Sequence, residues 1–321
     1  MSSTGLADIS NGIKTEALRL GFSACGISEA EAVDVQNSAS VQKWLQEGCH
    51  ASMLYMEANI EKRLDPRLLH PGCQSIISVA LNYYPHKIIP AENPQFALYS
   101  YGKDYHDVMK LMLNKLGDYV KGIDFGNDGT EDIYETDIKI CCDTVPILDR
   151  YWAWKAGLGW IGKNSNLIIP KCGSYFFLGE ILVNRKLRYD TPMQSQCGSC
   201  CLCINNCPTG ALGRSKTVDA RKCLSFLTIE NKELSPIDIR MNIPENNYIY
   251  GCDRCQSVCP YNKYAVPTNI EAFNPSEELL EMKKEDWLSL NIEQYRRLFK
   301  GSAVKRAKYD GLMRNIKSFL K

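Results

Sequence analysis

No stretch of the 321 residues offers the roughly 18 consecutive apolar side chains that a bilayer-spanning helix needs, so a helical membrane span is excluded. Met1 to Asn11 lack the charged start and apolar core of an export signal. The expectation is therefore a cytoplasmic chain in a reducing compartment, with no membrane partner. Charge of one sign is also missing. The 38 basic and 37 acidic side chains leave +1, and nothing global points to nucleic acid. No repeat or low-complexity tract interrupts the chain, and with four histidines in all, no single histidine carries an argument alone. Cysteine is what the sequence does have.

Nine of the fifteen cysteines fall between residues 197 and 259. Cys197, Cys200, Cys203 and Cys207, followed by Pro208, spell CxxCxxCxxxCP, the run of bacterial ferredoxins. A cubane cluster takes four thiolates. The tight run supplies three, and the cysteine before proline points to the other cluster. Cys252, Cys255, Cys259 and Pro260 repeat the end of the motif, but Ile249 occupies the slot of the first cysteine. Cys223 is the natural substitute. Two 4Fe-4S clusters then take Cys197, Cys200, Cys203 and Cys259 in one set, with Cys207, Cys223, Cys252 and Cys255 in the other, and Cys201 is left over. Zinc is the main alternative, although a zinc site needs neither the interleaved third cysteine nor the repeated cysteine-proline ending. A disulfide framework ranks behind it.

The periodicities predict an α+β protein. Residues 5 to 21 have helical spacing, Phe22 to Ile27 reads as a strand, and Ser75 to Leu81 as a buried strand. Asp104 to Lys121 reads as an amphipathic helix with Val108, Leu111, Met112, Leu116 and Val120 on its apolar side. Ile138 to Cys142 reads as a strand, and Pro146 suits the first turn of a helix running through Arg150, Trp152 and Ala156. Two further strands follow, Leu167 to Ile169 and Glu180 to Val183. The expected organisation is an N-terminal α/β sandwich-like domain over 1–189, a ferredoxin-like two-cluster module over 190–265 and a C-terminal helical segment over 266–321. Four helices are expected in the last segment, at 276–282, 284–289, 292–299 and 303–320, packed back on the first domain without a linker.

Clusters move electrons but rarely make or break carbon bonds unaided, so a second redox centre is expected in the N-terminal domain. Gly157-Leu158-Gly159-Trp160-Ile161-Gly162 spells GxGxxG, yet it follows a predicted helix and puts Trp160 where a phosphate would approach. It suits a turn beside a large planar ligand better than a nucleotide loop. The radical S-adenosylmethionine pattern CxxxCxxC, with one iron left open, is absent. Asp143, at a predicted strand end, is a candidate general acid if desolvation raises its pKa, and equally a helix cap. His106 has a similar ambiguity. Trp152, Trp154 and Trp160 could wall a flat cofactor, though buried packing is the commoner use.

Taken together, Ile60 to Arg63 before Asp65-Pro66, Ser100 to His106, Asp143-Thr144, Gly162-Lys163-Asn164, Gly173-Ser174-Tyr175 and the two cysteine runs resemble the epoxyqueuosine reductases over nearly the whole chain. The resemblance implies a cobalamin-dependent, two-cluster oxidoreductase that removes the epoxide oxygen of epoxyqueuosine at the tRNA wobble position, completing queuosine. It implies cobalamin contacts at Arg63, Ala97, Asp143, Leu167, Leu178 and Ser225, with Asp143 as proton donor and electrons from an external donor. Ala97 stands where relatives can have another small residue, so a backbone contact is expected there. The DxHxxG motif that puts a protein histidine under cobalt is not met, because Met109 stands in the glycine position. A base-off cofactor without such a ligand follows. Some relatives carry a helical-repeat extension absent here, so the grip on tRNA is expected from the module surface and the basic tail. Lys300, Lys305, Arg306, Lys308, Arg314, Lys317 and Lys321 there face a lone Asp310. A solvated helix face is an equal reading of that tail. A monomer is expected. The alternatives are a cobalamin-dependent reductive dehalogenase-like enzyme on a small molecule and a ferredoxin-type electron-transfer protein.

Overall fold

The computed structural model describes residues 3–125, 135–213, 217–233 and 246–320. Helix α1 (Ser3–Arg19) leads into β1 (Ala24–Glu29), followed by α2 (Val35–Gln46), α3 (Ile60–Leu64) and β2 (Ser75–Asn82). The short β3 (Gln95–Phe96), α4 (Tyr105–Lys121), β4 (Ile138–Cys141) and α5 (Asp149–Lys155) come next. A hairpin of β5 (Trp160–Ile161) and β6 (Leu167–Ile168) precedes β7 (Phe176–Val183). The central sheet has the order β1-β2-β7-β4, antiparallel throughout.

Helices cover both faces of this sheet, which explains why Ser75 to Leu81 is buried without alternation. On one face Ile77, Val79, Ile181 and Val183 meet α1 and α4. On the other, Ile76, Cys141 and Leu182 meet Trp152 of α5. The side chain of Asp104 caps α4 by accepting from the His106 N–H. Its buried stripe is Met109, Met112, Leu113, Leu116 and Val120. Leu111, expected on that stripe, is 59% exposed, because Met109 and Leu113 set the helical phase. Pro146 lies ahead of α5 rather than in its first turn, and the left-handed Gly157 closes the helix as expected.

The cysteine-rich region has only short elements: α6 (Leu202–Asn205), α7 (Leu224–Ile229), β8 (Tyr248–Tyr250), which pairs in parallel with β3, and α8 (Arg254–Ser257). The chain ends in α9 (Glu277–Glu281), α10 (Lys284–Leu288), α11 (Ile292–Leu298) and α12 (Lys308–Phe319). A 3-10 turn over Ala303–Ala307 replaces the start of the fourth expected helix. These helices join the main core: the Phe96 ring lies 5.1 Å from Trp287 and 5.7 Å from Phe299. Inside α12, the fully buried Asn315 donates to the carbonyls of Thr228 (2.8 Å) and Ile249 (2.9 Å), tying the last helix to the cysteine-rich region.

Candidate active site

A cavity of about 1690 Å³ opens where β7, the loop from Asp143 to Arg150, the N-terminus of α4 and the cysteine-rich region meet. That is well above the range of about 300–1,000 Å³ usual for small-ligand pockets, and its lining is mainly apolar. Arg63, Ala97, Asp143, Leu167, Leu178 and Ser225 all line it. They come from α3, the edge of β3, the β4–α5 loop, β6, β7 and α7, so no local sequence window contains the site.

Asp143 adopts the left-handed conformation (φ 53°), uncommon for a residue other than glycine. Its Oδ2 accepts from the Tyr105 hydroxyl at 2.7 Å and from His106 Nε2 at 3.1 Å. His106 Nδ1 lies 2.7 Å from Asp104 Oδ1, giving a chain of Asp104, His106 and Asp143. Tyr105 is held flat on Phe177, ring centroids 4.2 Å apart. The His106 hydrogen bond, against some opposing burial, holds the Asp143 carboxyl below the usual carboxylate range. The same bond raises His106, so each partner favours the other's charged form. This reverses the sequence expectation of a carboxyl raised by desolvation. The Asp143 side chain is 60% accessible from the cavity, and its hydrogen bonds outweigh its burial. Helix capping is set aside as well: the N-cap of α5 is Leu148, and no side chain caps it.

Arg63 is a buried cation in the cavity wall. Its Nη1 and Nη2 donate to the carbonyls of Ile147 (3.4 Å) and Tyr55 (3.3 Å), while Nε has no protein partner. Burial lowers its pKa, opposed by the charges of Asp149, Tyr55 and Asp143. The three tryptophans do not line the cavity. Trp152 and Trp160 are fully buried in the core, and Trp154 donates to the Met193 carbonyl at 2.8 Å. The GxGxxG stretch is equally structural. A side chain at Gly159 would place its Cβ 2.1 Å from the Ile168 carbonyl oxygen across the β5–β6 hairpin.

No disulfide joins any of the fifteen cysteines. The eight expected ligands separate in space. Burial raises Cys203, and so do the neighbouring charges of Cys259, Cys197 and Cys200. Burial likewise raises Cys255, reinforced by Cys252, Cys223 and Cys207. Cys201 belongs to neither set and sits 3.8 Å from Lys163 Nζ. Against the pull of burial, the N–H groups of Thr209, Leu212 and Ala211 hold Cys207 down, the environment a metal-bound thiolate favours. Cys207, Cys223, Cys252 and Cys255 line the cavity; the other four do not. Among the described residues, no three cysteine, histidine or carboxylate side chains converge closely enough to hold a single metal ion.

The Gly162-Lys163-Asn164 motif joins the hairpin to both cysteine sets. Lys163 Nζ donates to the carbonyls of Gly198 (2.7 Å) and Cys200 (2.8 Å), and Asn164 Nδ2 to that of Cys255 (3.2 Å). Tyr105, Asp149 and Glu180 were not singled out from sequence. For Glu180 there was a sign to follow, a lone carboxyl in the apolar run FFLGEILV.

The chain is similar to known proteins along nearly its whole length. The epoxyqueuosine reductase QueG domain (DUF1730) matches residues 63–144, and the 4Fe-4S double cluster binding domain matches residues 196–262. The chain is 42% identical over 309 residues to the epoxyqueuosine reductase of Cellulophaga algicola, covering 96% of this chain and 97% of that protein. It is 35% identical over 317 residues to the one from Escherichia coli K12, covering 97% and 80%. A crystal structure of epoxyqueuosine reductase with an epoxyqueuosine-modified tRNA-Tyr stem loop superposes with TM-score 0.83 at 29% identity, covering 97% of this chain and 80% of that one. The enzyme from Bacillus subtilis, seen with its catalytic aspartate loop swung out of the active site, superposes equally well (TM-score 0.83, 29% identity, 97% and 81%). With an iron-sulfur double-cluster module and this likeness along nearly its whole length, the chain is an oxidoreductase and belongs to the epoxyqueuosine reductase family.

Proposed function

We propose that this chain converts epoxyqueuosine in tRNA to queuosine with cobalamin held in the large cavity. In this reading Arg63, Ala97, Asp143, Leu167, Leu178 and Ser225 contact the cofactor, and residues 1–189, 190–265 and 266–321 act as cofactor domain, cluster module and closing helical segment. The observation that carries the reading is the convergence of all six residues on one cavity that four cluster cysteines also line. Its volume suits a macrocycle, and Arg63 puts a cation in its wall. The bound clusters and cobalamin would supply two electrons, one at a time, from an external donor.

The protein's own part is protonation and positioning. An alkoxide leaves poorly, so the opening epoxide oxygen needs a proton delivered at the right place. Asp143 faces the cavity, and its Oδ2 lies within hydrogen-bond reach of His106 Nε2, whose pKa the pairing raises. A proton moving from Nε2 to Oδ2 makes Asp143 the neutral acid just when its negative charge is no longer needed. Tyr105, donating to the same oxygen, fixes the carboxyl's orientation. Both nitrogens of His106 are engaged, by Asp104 and Asp143, so its ring is not free to ligate cobalt. The tRNA partner is supported by Lys305 and Arg306, two cations of the basic tail that stand at the cavity rim. Cytoplasmic location and a monomeric state belong to the same proposal, and no helix among the described residues is long and apolar enough to cross a membrane.

The test is anaerobic incubation of the reconstituted protein with epoxyqueuosine-bearing tRNA and a reductant, with and without cobalamin, followed by mass analysis of the nucleosides. Loss of one oxygen only with cobalamin present supports the proposal. Loss without it would remove the corrinoid from the reaction.

A further inference from the structure

Beneath α5, the sheet holds a carboxyl group that the reaction described above does not use. Glu180 has no accessible surface and lies in mid-strand, paired in register with Ser78 of β2 on one side and Cys141 of β4 on the other. Neither of its carboxyl oxygens meets an N–H or O–H donor from another residue, the same is true of Asp149 Oδ1, and Ser78 Oγ has no partner. Asp149 opens α5, which packs on β2 and β7, and its carboxyl and that of Glu180 are hydrogen-bonding neighbours. Asp149 also lines the cavity, while its Oδ1 is sealed from it. The pair therefore reaches from the protein interior to the wall of the active site.

Two carboxylates buried side by side cannot both ionise, whereas one O–H donated to the other's oxygen satisfies both. Burial, then mutual charge, raises Glu180 well above the usual range. Asp149 is pushed up to about 6, by burial first and by Asp143 second. The other ionisable groups around the pair are Arg63, Arg150, Tyr105, Cys141 and Cys142. Taking the epoxide oxygen out as water breaks two C–O bonds, forms one C=C bond and consumes two electrons and two protons. His106 and Asp143 hold one of those protons.

We propose that the Asp149–Glu180 pair holds the second proton and passes it, through Asp149, to the departing oxygen on the Asp143 side of the cavity. As Asp149 gives up the proton, Arg63 and Arg150 offset the added negative charge. The pair is refilled from solvent through the same cavity-facing carboxyl before the next turnover. The inference rests on the reduction proposed above, but the presence of the shared proton does not.

Infrared spectroscopy of the reconstituted wild-type protein at pH 7 should show the C=O stretch of a buried protonated carboxyl that shifts in D2O and is absent from E180Q. No such band in wild type would overturn the proposal, whatever the activity. With cobalamin and both clusters bound, E180Q should turn over roughly tenfold more slowly at pH 8, at the low end of proton-transfer effects. Its rate should also fall with rising pH earlier than that of wild type. D149N should behave alike and decides the matter if E180Q does not fold. A wild-type pH profile in both variants would sink the proton store while leaving the role of Asp143 standing.

Discussion

His106 and Asp143 form an ion pair only between the lowered pKa of the carboxyl and the raised pKa of the imidazole, and in the proposed mechanism this sets the pH window of turnover. As pH rises through the raised value, His106 loses the proton that Asp143 must relay. As pH falls through the lowered one, the carboxylate that holds the imidazolium disappears. Turnover should therefore decline on the alkaline side at a pH above the 6.5 of ordinary histidine, and H106Q should lose that titrating limb in a plot of kcat against pH. D143A should keep both clusters and cobalamin yet turn over about 10²–10⁴-fold more slowly, the range for a positioned acid. Wild-type turnover in D143A would remove it from the mechanism. Asp143 was legible in the sequence as a candidate; the direction of its pKa shift was not. His106 lies 37 residues away, and only the fold brings its ring to the carboxyl.

Elements hold these residues through close backbone approaches and a few hydrogen bonds. A Cβ at Gly26 in β1 would sit 2.0 Å from the carbonyl oxygen of Ala156, where α5 ends against the sheet. Since neither backbone can yield cheaply, G26A should destabilise the protein by about 1–3 kcal/mol or more, read as a lowered midpoint in thermal or urea unfolding. An unchanged midpoint would mean that α5 does not lean on β1 as described. Lys163 works between elements, its ammonium donating to two carbonyls of the loop that carries Cys197 and Cys200. Because nearby positive charge favours the reduced cluster, K163M should shift the potential of that cluster to more negative values and leave the other nearly unmoved, in a redox titration followed by electron paramagnetic resonance. The strands of the central sheet and most helices were readable from periodicity and capping residues, whereas the two- and three-residue strands β3, β5 and β8 were not. The phase of α4 was not, because Leu111 is as apolar as the residues that face the core, and only packing against β7 chooses among them.

At the scale of the whole molecule, the basic tail is part of the fold as well as a candidate surface for RNA. Leu312 and Ile316 are fully buried, and Arg314 donates to the carbonyls of Asn231 and Leu227. Lys300, Lys305, Lys308 and Lys317 are exposed, Arg306 pairs with Glu230 at 2.8 Å, and Lys321 lies outside the described residues. The cysteine spacing disclosed the clusters because metal ligation is a local pattern. Attachment of the tail is a long-range one, invisible until Asn315 is seen bonded to Thr228 and Ile249. Burying a leucine or isoleucine side chain contributes about 1.5–3 kcal/mol, and a domain's net stability is only about 5–15 kcal/mol. Truncation after Phe299, which strips Val304, Leu312, Ile316 and Leu320, should therefore collapse cluster content and solubility together rather than selectively weaken RNA binding. Charge reversal separates the two roles. K305E with K317E should leave the unfolding midpoint and cluster absorbance unchanged, since both side chains are exposed, while weakening tRNA binding and flattening its salt dependence. If affinity and salt slope instead match wild type, the tail is a solvated helix face, and the tRNA is gripped by other parts of the surface.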